Sequence, residues 1–595
     1  MKTIQYFLII TLLIHSIFSL QAQYTEGKEF WLTFGKNSYS IPIDLQIRIV
    51  GGKEKTTGTI YFTNLDTYEE FEIEPHKIFN HILAGNQMAA VYNTVMGKTN
   101  FSVHINTSNP VAVYAFNYMP NTTYDVTNIL PVEGLGTDYY QISYSPWTIS
   151  YDAFAVVATK DNTLLYHNGD LVEILHAGDV YYGTSDTDMT GNFICSNKPV
   201  AFFAVNQSSP IPVPLSVQGS HLFQQLAPVN TWDKTFFVPV SILEKNIVRI
   251  VASQNNTNIT QLEGGTVRYG VPGAQTNLTN LQAGDFIELD IHIDDNGCFI
   301  KADKPVGVCS YFTLSSYSVF NSMPAQCWIP GINQKNASII LAPFLNKPQP
   351  IPKTHYALIY TSTAAKDSTK VSIGGGTPAN LSGVWIDNPI VGMSFYNMPL
   401  INQNETYTFT NSNGFIILGY GVRTTGMGTY YYLAGSAMRD LDVAFYANDI
   451  HFQDLKYYPI CEGLINFRAE IDGKGIEVDT VKWYINGLEE VTKRDSLEWS
   501  KPLSLGRYEI KMWVHFENYS TVSKTDTLII KSCNQNAAFY MNEVHYLIDT
   551  TFCNKQVNFR AETGVLSTEA GHLRWFIDYS DGNGYVEESS ALDQK

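Results

Sequence analysis

The sequence predicts an all-β protein: tandem β-sandwich, jelly-roll-like modules, followed near the C-terminus by immunoglobulin-like sandwiches. Three observations predict it. Of 595 residues, 37 are Tyr and 32 are Phe, while only 16% are charged. That favours strands and turns over a helical array or a disordered chain. A pattern of turn, Phe and Pro-Val strand then recurs in order along the chain. A second pattern, running from Cys to Trp, repeats with an offset of 92 residues.

Residues 1–22 read as a signal peptide. Lys2 precedes an apolar stretch, Tyr6 to Leu20, broken by Thr11, His15 and Ser16, and Leu20-Gln21-Ala22 offers a small-residue exit. A retained anchor helix needs about 20 apolar residues. An exported protein is therefore expected, secreted or on the outer cell surface, with no membrane insertion once the signal is removed. The net charge of −18 and the lack of a basic run argue against nucleic acid and anionic membranes as partners.

From residue 24 to 440 the chain repeats itself. Leu-x-Ala-Gly-[Asp/Asn] turns occur at Leu175–Asp179 and Leu281–Asp285, with a shortened copy at Leu83–Asn86. From the turn glycine to a marked Phe is 16 residues at Phe101 and 15 at Phe193 and Phe299. Next come Asn109-Pro110-Val111, Lys198-Pro199-Val200 and Lys304-Pro305-Val306, each opening an apolar strand. Pro is tolerated where a strand begins, because no ladder bond is lost there. Asn413–Tyr420 is a degraded fourth copy. The expected modules are 24–145, 146–240, 241–345 and 346–440. Propeller blades run about 40 to 50 residues, half the length of these units, so two-sheet sandwiches are preferred.

The second repeat defines a domain at 445–535. Cys461 precedes Asn466-Phe467-Arg468-Ala469-Glu470 and Trp483, and Cys533 closes it. A Cys pair around a core Trp suits an immunoglobulin-like sandwich, with Cys461 and Cys533 as the expected disulfide. A second copy at 536–595 repeats Cys553, Asn558–Glu562 and Trp575, and is expected to be truncated. None of the seven cysteines forms a C-x-x-C pair, and the pairing of Cys195, Cys298, Cys309 and Cys327 is left open.

The segment Glu26-Gly27-Lys28-Glu29-Phe30-Trp31-Leu32-Thr33-Phe34-Gly35-Lys36-Asn37 resembles the opening of the IgGFc-binding protein N-terminal domain family. Ile129–Tyr139 resembles that family's Leu-Pro…Leu-Gly segment, and Pro228–Phe236 echoes it. The C-terminal modules resemble immunoglobulin-like or polycystic-kidney-disease-like domains of Bacteroidetes surface proteins. The resemblance implies a secreted or surface-exposed binding protein; it carries over no binding residue.

Motifs for catalysis are absent from the sequence: there is no H-E-x-x-H, G-x-S-x-G or phosphate-binding loop. Two acidic clusters, Asp290/Asp294/Asp295/Asn296 and Asp578/Asp581/Asn583, have oxygen ligands suited to calcium. Both fall where hairpin turns are expected and read as turn residues, so no metal or cofactor is assigned. The candidate binding residues are aromatics expected on exposed loops: Tyr118, Tyr124, Tyr139, Tyr140 and Trp147, with Tyr144 beside them and a later run Tyr430-Tyr431-Tyr432. Such rings can stack on sugars or anchor a protein interface; the alternative is packing between modules. The function expected is non-enzymatic binding or adhesion at the cell surface, to a protein or glycan. A structural spacer and a two-carboxylate glycan hydrolase are the alternatives.

Overall fold

The structure, a computed structural model, describes residues 25–437 except 39–43, 120–122, 213–218, 315–321, 345–353 and 424–427. It also describes residues 442–531 except 453–454, 456–457, 473–477, 491–493 and 517–520, and the backbone of short strands between 537 and 594. The signal segment, Cys533, Cys553, Asp581 and Asn583 lie outside these residues. Two compact units contain residues 24–440 and 441–534.

Residues 24–440 form four antiparallel sheet systems, at 26–129, 97–225, 235–328 and 336–435. The first, second and fourth are each organised by one strand of 16 or 17 residues: Val103–Met119, Phe193–Ser209 and Tyr407–Val422. The first part of each long strand pairs with an outer strand: Thr56–Phe62, Thr163–His167 or Lys370–Ile373. The second part pairs with a central strand: Asp44–Gly51, Asp152–Ala158 or Thr354–Ser362. In the third module the long strand is split into Cys298–Ala302 and Val306–Phe312, around Pro305. Pro110, Pro199 and Pro305 thus sit where the strand changes partners, so the missing N–H interrupts no ladder. In the degraded fourth copy Gly414 takes that place, with φ +73°, a conformation that suits glycine.

After each long strand the chain turns back into an inner strand: Thr123–Ile129, Ser220–Gln225, Ala325–Trp328 and Tyr430–Gly435. The first inner strand lies beside the second, the second beside the third, the third beside the fourth, and the fourth beside the first. The tandem modules therefore close into a circuit. Where the last meets the first, the Thr25 N–H donates to the Ser436 carbonyl at 3.2 Å, and Thr25 Oγ1 accepts the Ser436 N–H at 3.3 Å. One apolar cluster links all four modules, and a second seals the first against the fourth.

The opening segment serves this packing. Phe30 and Phe34 are buried, Trp31 stacks on His104 with centroids 3.9 Å apart, and Asn37 Nδ2 donates to Asn117 Oδ1 at 3.1 Å. A side chain at Gly27 would strike Pro131 and one at Gly136 would strike Pro228. These contacts account for the glycines and prolines that recur at the module boundaries.

Residues 441–534 form a two-sheet sandwich. Asp442–Ala447, Gly463–Asp472 and Glu498–Leu503 make one sheet; Val478–Ile485, Gly506–Phe516 and Thr521–Lys531 make the other. Trp483 is fully buried among Phe445, Phe467 and Trp499, and its indole N–H donates to the Ser496 carbonyl at 2.9 Å. Beyond residue 536 the strands Ala537–Met541 and Phe559–Thr563 pair with Met541 opposite Phe559, as Ala447 stands opposite Phe467.

Candidate functional site

The expectation of solvent-facing aromatics is corrected for four of the five candidate residues. Tyr118 and Tyr124 face each other across the first inner hairpin, stacked at 5.7 Å and almost fully buried, with Phe344 of the fourth module edge-on to Tyr118. Tyr139 is fully buried; its hydroxyl donates to the Val200 carbonyl at 2.7 Å and accepts the Gly136 N–H at 3.0 Å. Tyr140, 9% exposed, packs on Phe193 and Trp232. Tyr144 is buried, and Tyr430, Tyr431 and Tyr432 lie in the last inner strand. The reason is the closed circuit: each module has a neighbour on two sides, so residues on both faces of its inner strand are covered.

Trp147 is the exception. It is half-buried, and Ile149 and Tyr151 beside it are 78% and 46% exposed. This segment is pinned to the end of the second long strand: the Trp147 N–H donates to the Ser208 carbonyl at 2.7 Å, the Ser150 hydroxyl to the same oxygen at 2.9 Å, and the Gln207 N–H to the Tyr151 carbonyl at 3.0 Å. Register explains the position. Asp152, where the central strand starts, stands opposite Asn206 near the end of the long strand; Asp44 likewise opposes Tyr118, and Thr354 opposes Val422. The segments entering the central strands therefore gather at the same end as the inner hairpins. Such loops on a rigid scaffold are common binding elements. Nothing in the sequence sets Ile149 and Tyr151 apart from the buried residues around them; the loop position that exposes them is a tertiary feature.

The charged groups inside the circuit are tied to neighbours. Asp125 and His221 approach at 3.2 Å, both buried. Burial pushes the carboxyl well above its ordinary range and the imidazole down to about 3, so at neutral pH the imidazole is uncharged. Asp152 accepts from the Ser143 hydroxyl at 2.6 Å and the Met189 N–H at 2.7 Å. The free thiols among the described residues, Cys298, Cys309 and Cys327, are buried. Burial raises Cys309 to about 12, which leaves it protonated and a poor nucleophile. Cys195 and Cys461 are engaged rather than free. In the acidic cluster of the third module, Asp290 binds Arg268 and Lys245 at 2.9 Å each, and Asp295 accepts the His292 N–H at 2.8 Å. These are turn and ion-pair roles.

Two buried arginines occupy corresponding positions. Each lies on a central strand opposite the fourth residue after the module's proline: Arg48 opposite Tyr114, and Arg249 opposite Cys309. The same register holds Ala155 opposite Phe203 and Leu358 opposite Leu418 in the other two modules. Arg249 reaches the second module. It donates to Glu288 Oε2 at 2.9 Å, Asp188 Oδ2 at 2.7 Å and Thr190 Oγ1 at 2.8 Å, and lies 3.9 Å above the Tyr144 ring. Burial disfavours its charge, but Asp188 and Glu288 outweigh burial and raise its pKa. Arg48 reaches the fourth module: it donates to Asn80 Oδ1 at 2.7 Å and to the Pro343 carbonyl, and lies over Phe116 and Phe344. Burial pulls it down to about 10, against the nearby tyrosines, chiefly Tyr432. Beside Arg48 a pocket of about 210 Å³ opens between the first and fourth modules, with His76, Lys77, Asn80, Asn404 and Thr406 in its wall.

Among known families, the one described as IgGFc binding protein matches residues 125–421. The match starts in the first inner strand and ends in the fourth long strand, so it includes the whole Ile129–Tyr139 region but not the opening segment at Gly27–Asn37. No curated protein matches the chain. Among solved structures, a Ca2+-stabilized adhesin with which an Antarctic bacterium binds ice is 11% identical, with 85% of this chain and 99% of that chain covered and a TM-score of 0.11. An Escherichia coli alpha-2-macroglobulin activated by porcine elastase is 10% identical, covering 86% and 54%, with a TM-score of 0.12. At those scores neither similarity bears on fold or function. No helix among the described residues is long and apolar enough to cross a membrane.

Proposed function

Residues 125–421 belong to the IgGFc binding protein family, and from that premise we propose that this is an exported, non-enzymatic binding protein that engages a protein or glycoprotein through the loop end of its four-module circuit. The observation carrying this reading is the pinned segment Trp147–Tyr151. It combines an aromatic anchor, an exposed Ile149 and an exposed Tyr151 on a loop held by backbone hydrogen bonds. A half-buried Trp with an exposed Ile and an exposed Tyr close in sequence is a composition suited to an interface hot spot. The buried carboxylates described above are bound to neighbours inside the modules, and the free thiols are buried, which favours binding over hydrolysis. A spacer role for the C-terminal sandwiches is favoured by the repeated register at Met541 and Phe559. The parallel pairing of Cys461 opposite Lys531 supports a Cys461–Cys533 disulfide there.

The test uses the mature chain immobilised against a panel of mucin, immunoglobulin and matrix glycoproteins. At least one partner is expected to be retained, and W147A or I149D to reduce its affinity by about ten-fold or more, as for a central interface residue. Failure to retain any member of the panel, or unchanged affinity in both variants, sinks this reading.

A further inference from the structure

Among the described residues each inner strand ladders with its own long strand alone, so its other edge faces a neighbouring module without a strand partner. Buried backbone N–H groups on such an edge need acceptors from elsewhere. Side chains of the adjoining module supply them. The Leu130 N–H donates to Gln225 Oε1 at 2.9 Å, the Gln225 N–H to Thr127 Oγ1 at 2.7 Å, and the Trp328 N–H to Gln224 Oε1 at 3.2 Å. The first and third modules are thereby both fastened to the second. The arrangement engages Gln225 through its oxygen and leaves its nitrogen over. Gln225 Nε2 and Asn128 Oδ1 are buried and have no hydrogen-bond partner among the described residues, and each of the two residues is only 2% exposed.

Both side chains line one cavity of about 10 Å³, and its wall is drawn from all four modules: Asn128 and Leu130 from the first, Gln224 and Gln225 from the second, Trp328 from the third and Leu433 from the fourth. We propose that this cavity is the binding site of a single internal water, which accepts a hydrogen bond from Gln225 Nε2 and donates one to Asn128 Oδ1, bridging the first and second modules where all four meet. The ligand class follows from the two atoms. One is an acceptor and the other a donor, so the occupant must both donate and accept; an anion satisfies only the amide nitrogen and a cation only the amide oxygen. Size limits it further, because a space of about 10–15 Å³ holds one water and nothing larger. Without a bridge, both amide atoms would bear the full cost of burial without a partner.

The site is independent of the Trp147 segment, and so is its test. A crystal structure of the full chain, at a resolution that orders internal solvent, is expected to show one water within about 2.7–3.2 Å of both Asn128 Oδ1 and Gln225 Nε2. A dry cavity, or a direct bond between the two amides, overturns the proposal. A double-mutant cycle read by thermal melting tests the bridge in solution. N128L and Q225L are each expected to lower the melting temperature, and N128L/Q225L to lower it by less than the sum, since either change alone already breaks the bridge. The Leu130 bond is lost in both Q225L and the double variant, so it drops out of the comparison. Additive losses overturn the bridge, and the crystallographic result decides the matter if the leucine variants do not fold.

Discussion

The seam between the second and third modules and the seam between the fourth and first solve one problem in two ways. Each buries a guanidinium at the same register of a central strand. At the former, Glu288 and Asp188 surround Arg249, and Arg268 reaches Glu288 from its other side at 2.9 Å. At the latter, Arg48 rests on two aromatic rings, an amide oxygen and a carbonyl. Four repeated modules therefore do not make four equivalent contacts. The arginine register alternates between cationic and apolar residues, and the two cationic seams differ again in their counter-charges.

The largest effect that would break this comparison is expected from R249M. It leaves Glu288 fully buried, and Asp188 nearly so, without their main cation, a situation that costs about 3–5 kcal/mol. Denaturant unfolding of the full chain measures it, and a loss under about 1 kcal/mol would show that the network is not a buried ion cluster.

Next in size is a pH effect beside Arg48. His355 is 1% exposed, and its Nδ1 is 2.6 Å from the Tyr430 hydroxyl. Burial first, and then Arg48, lower its pKa to about 3. The folded state thus holds a neutral ring, while the unfolded chain takes up a proton below about pH 6.5. The stability tied to His355 is present above that pH and is lost as pH falls towards 3. About 2 kcal/mol is expected to disappear between roughly pH 6.5 and pH 5. Melting curves of wild type and H355Q over this range should converge towards acid; parallel curves would show that His355 titrates normally.

The smallest effect is expected from R48M. Asn80 Oδ1 and the Pro343 carbonyl, which it releases, are neutral, and the new side chain packs on the same rings, so the loss should be about 1–2 kcal/mol. If R48M proves as costly as R249M, the distinction between the seams fails.

Much of the fold was legible in residues. Pro110, Pro199 and Pro305 were expected to open strands; Pro110 and Pro199 lie instead inside long strands, at the point where the strand changes partners, and only at Pro305 does a new strand follow, because a missing N–H restricts local pairing without having to end the strand. Trp483, 22 residues after Cys461, announced a sandwich core. The aromatic candidates were less legible. Tyr118, Tyr139 and Tyr140 sit near hairpins and module boundaries, positions shared by interface anchors and core residues alike. What buries them is a neighbouring module, which leaves no periodic signature in their own strand. Trp147 kept partial exposure because its segment enters a central strand at the loop end. The pocket left no sequence signal on its own, since its wall is drawn from segments far apart in the chain, His76 to Asn80 and Gln403 to Thr406.

By itself the sequence determined the strand-rich composition, the repeating unit and the place where each long strand changes partners, all consequences of backbone chemistry acting over a few residues. Only the tertiary structure decided that the fourth module returns to the first, which aromatics lose their solvent, and which of two buried arginines has acids around it. Those outcomes rest on contacts between residues as far apart as Thr25 and Ser436, where the free energy depends on which surfaces meet rather than on the order in which they are written.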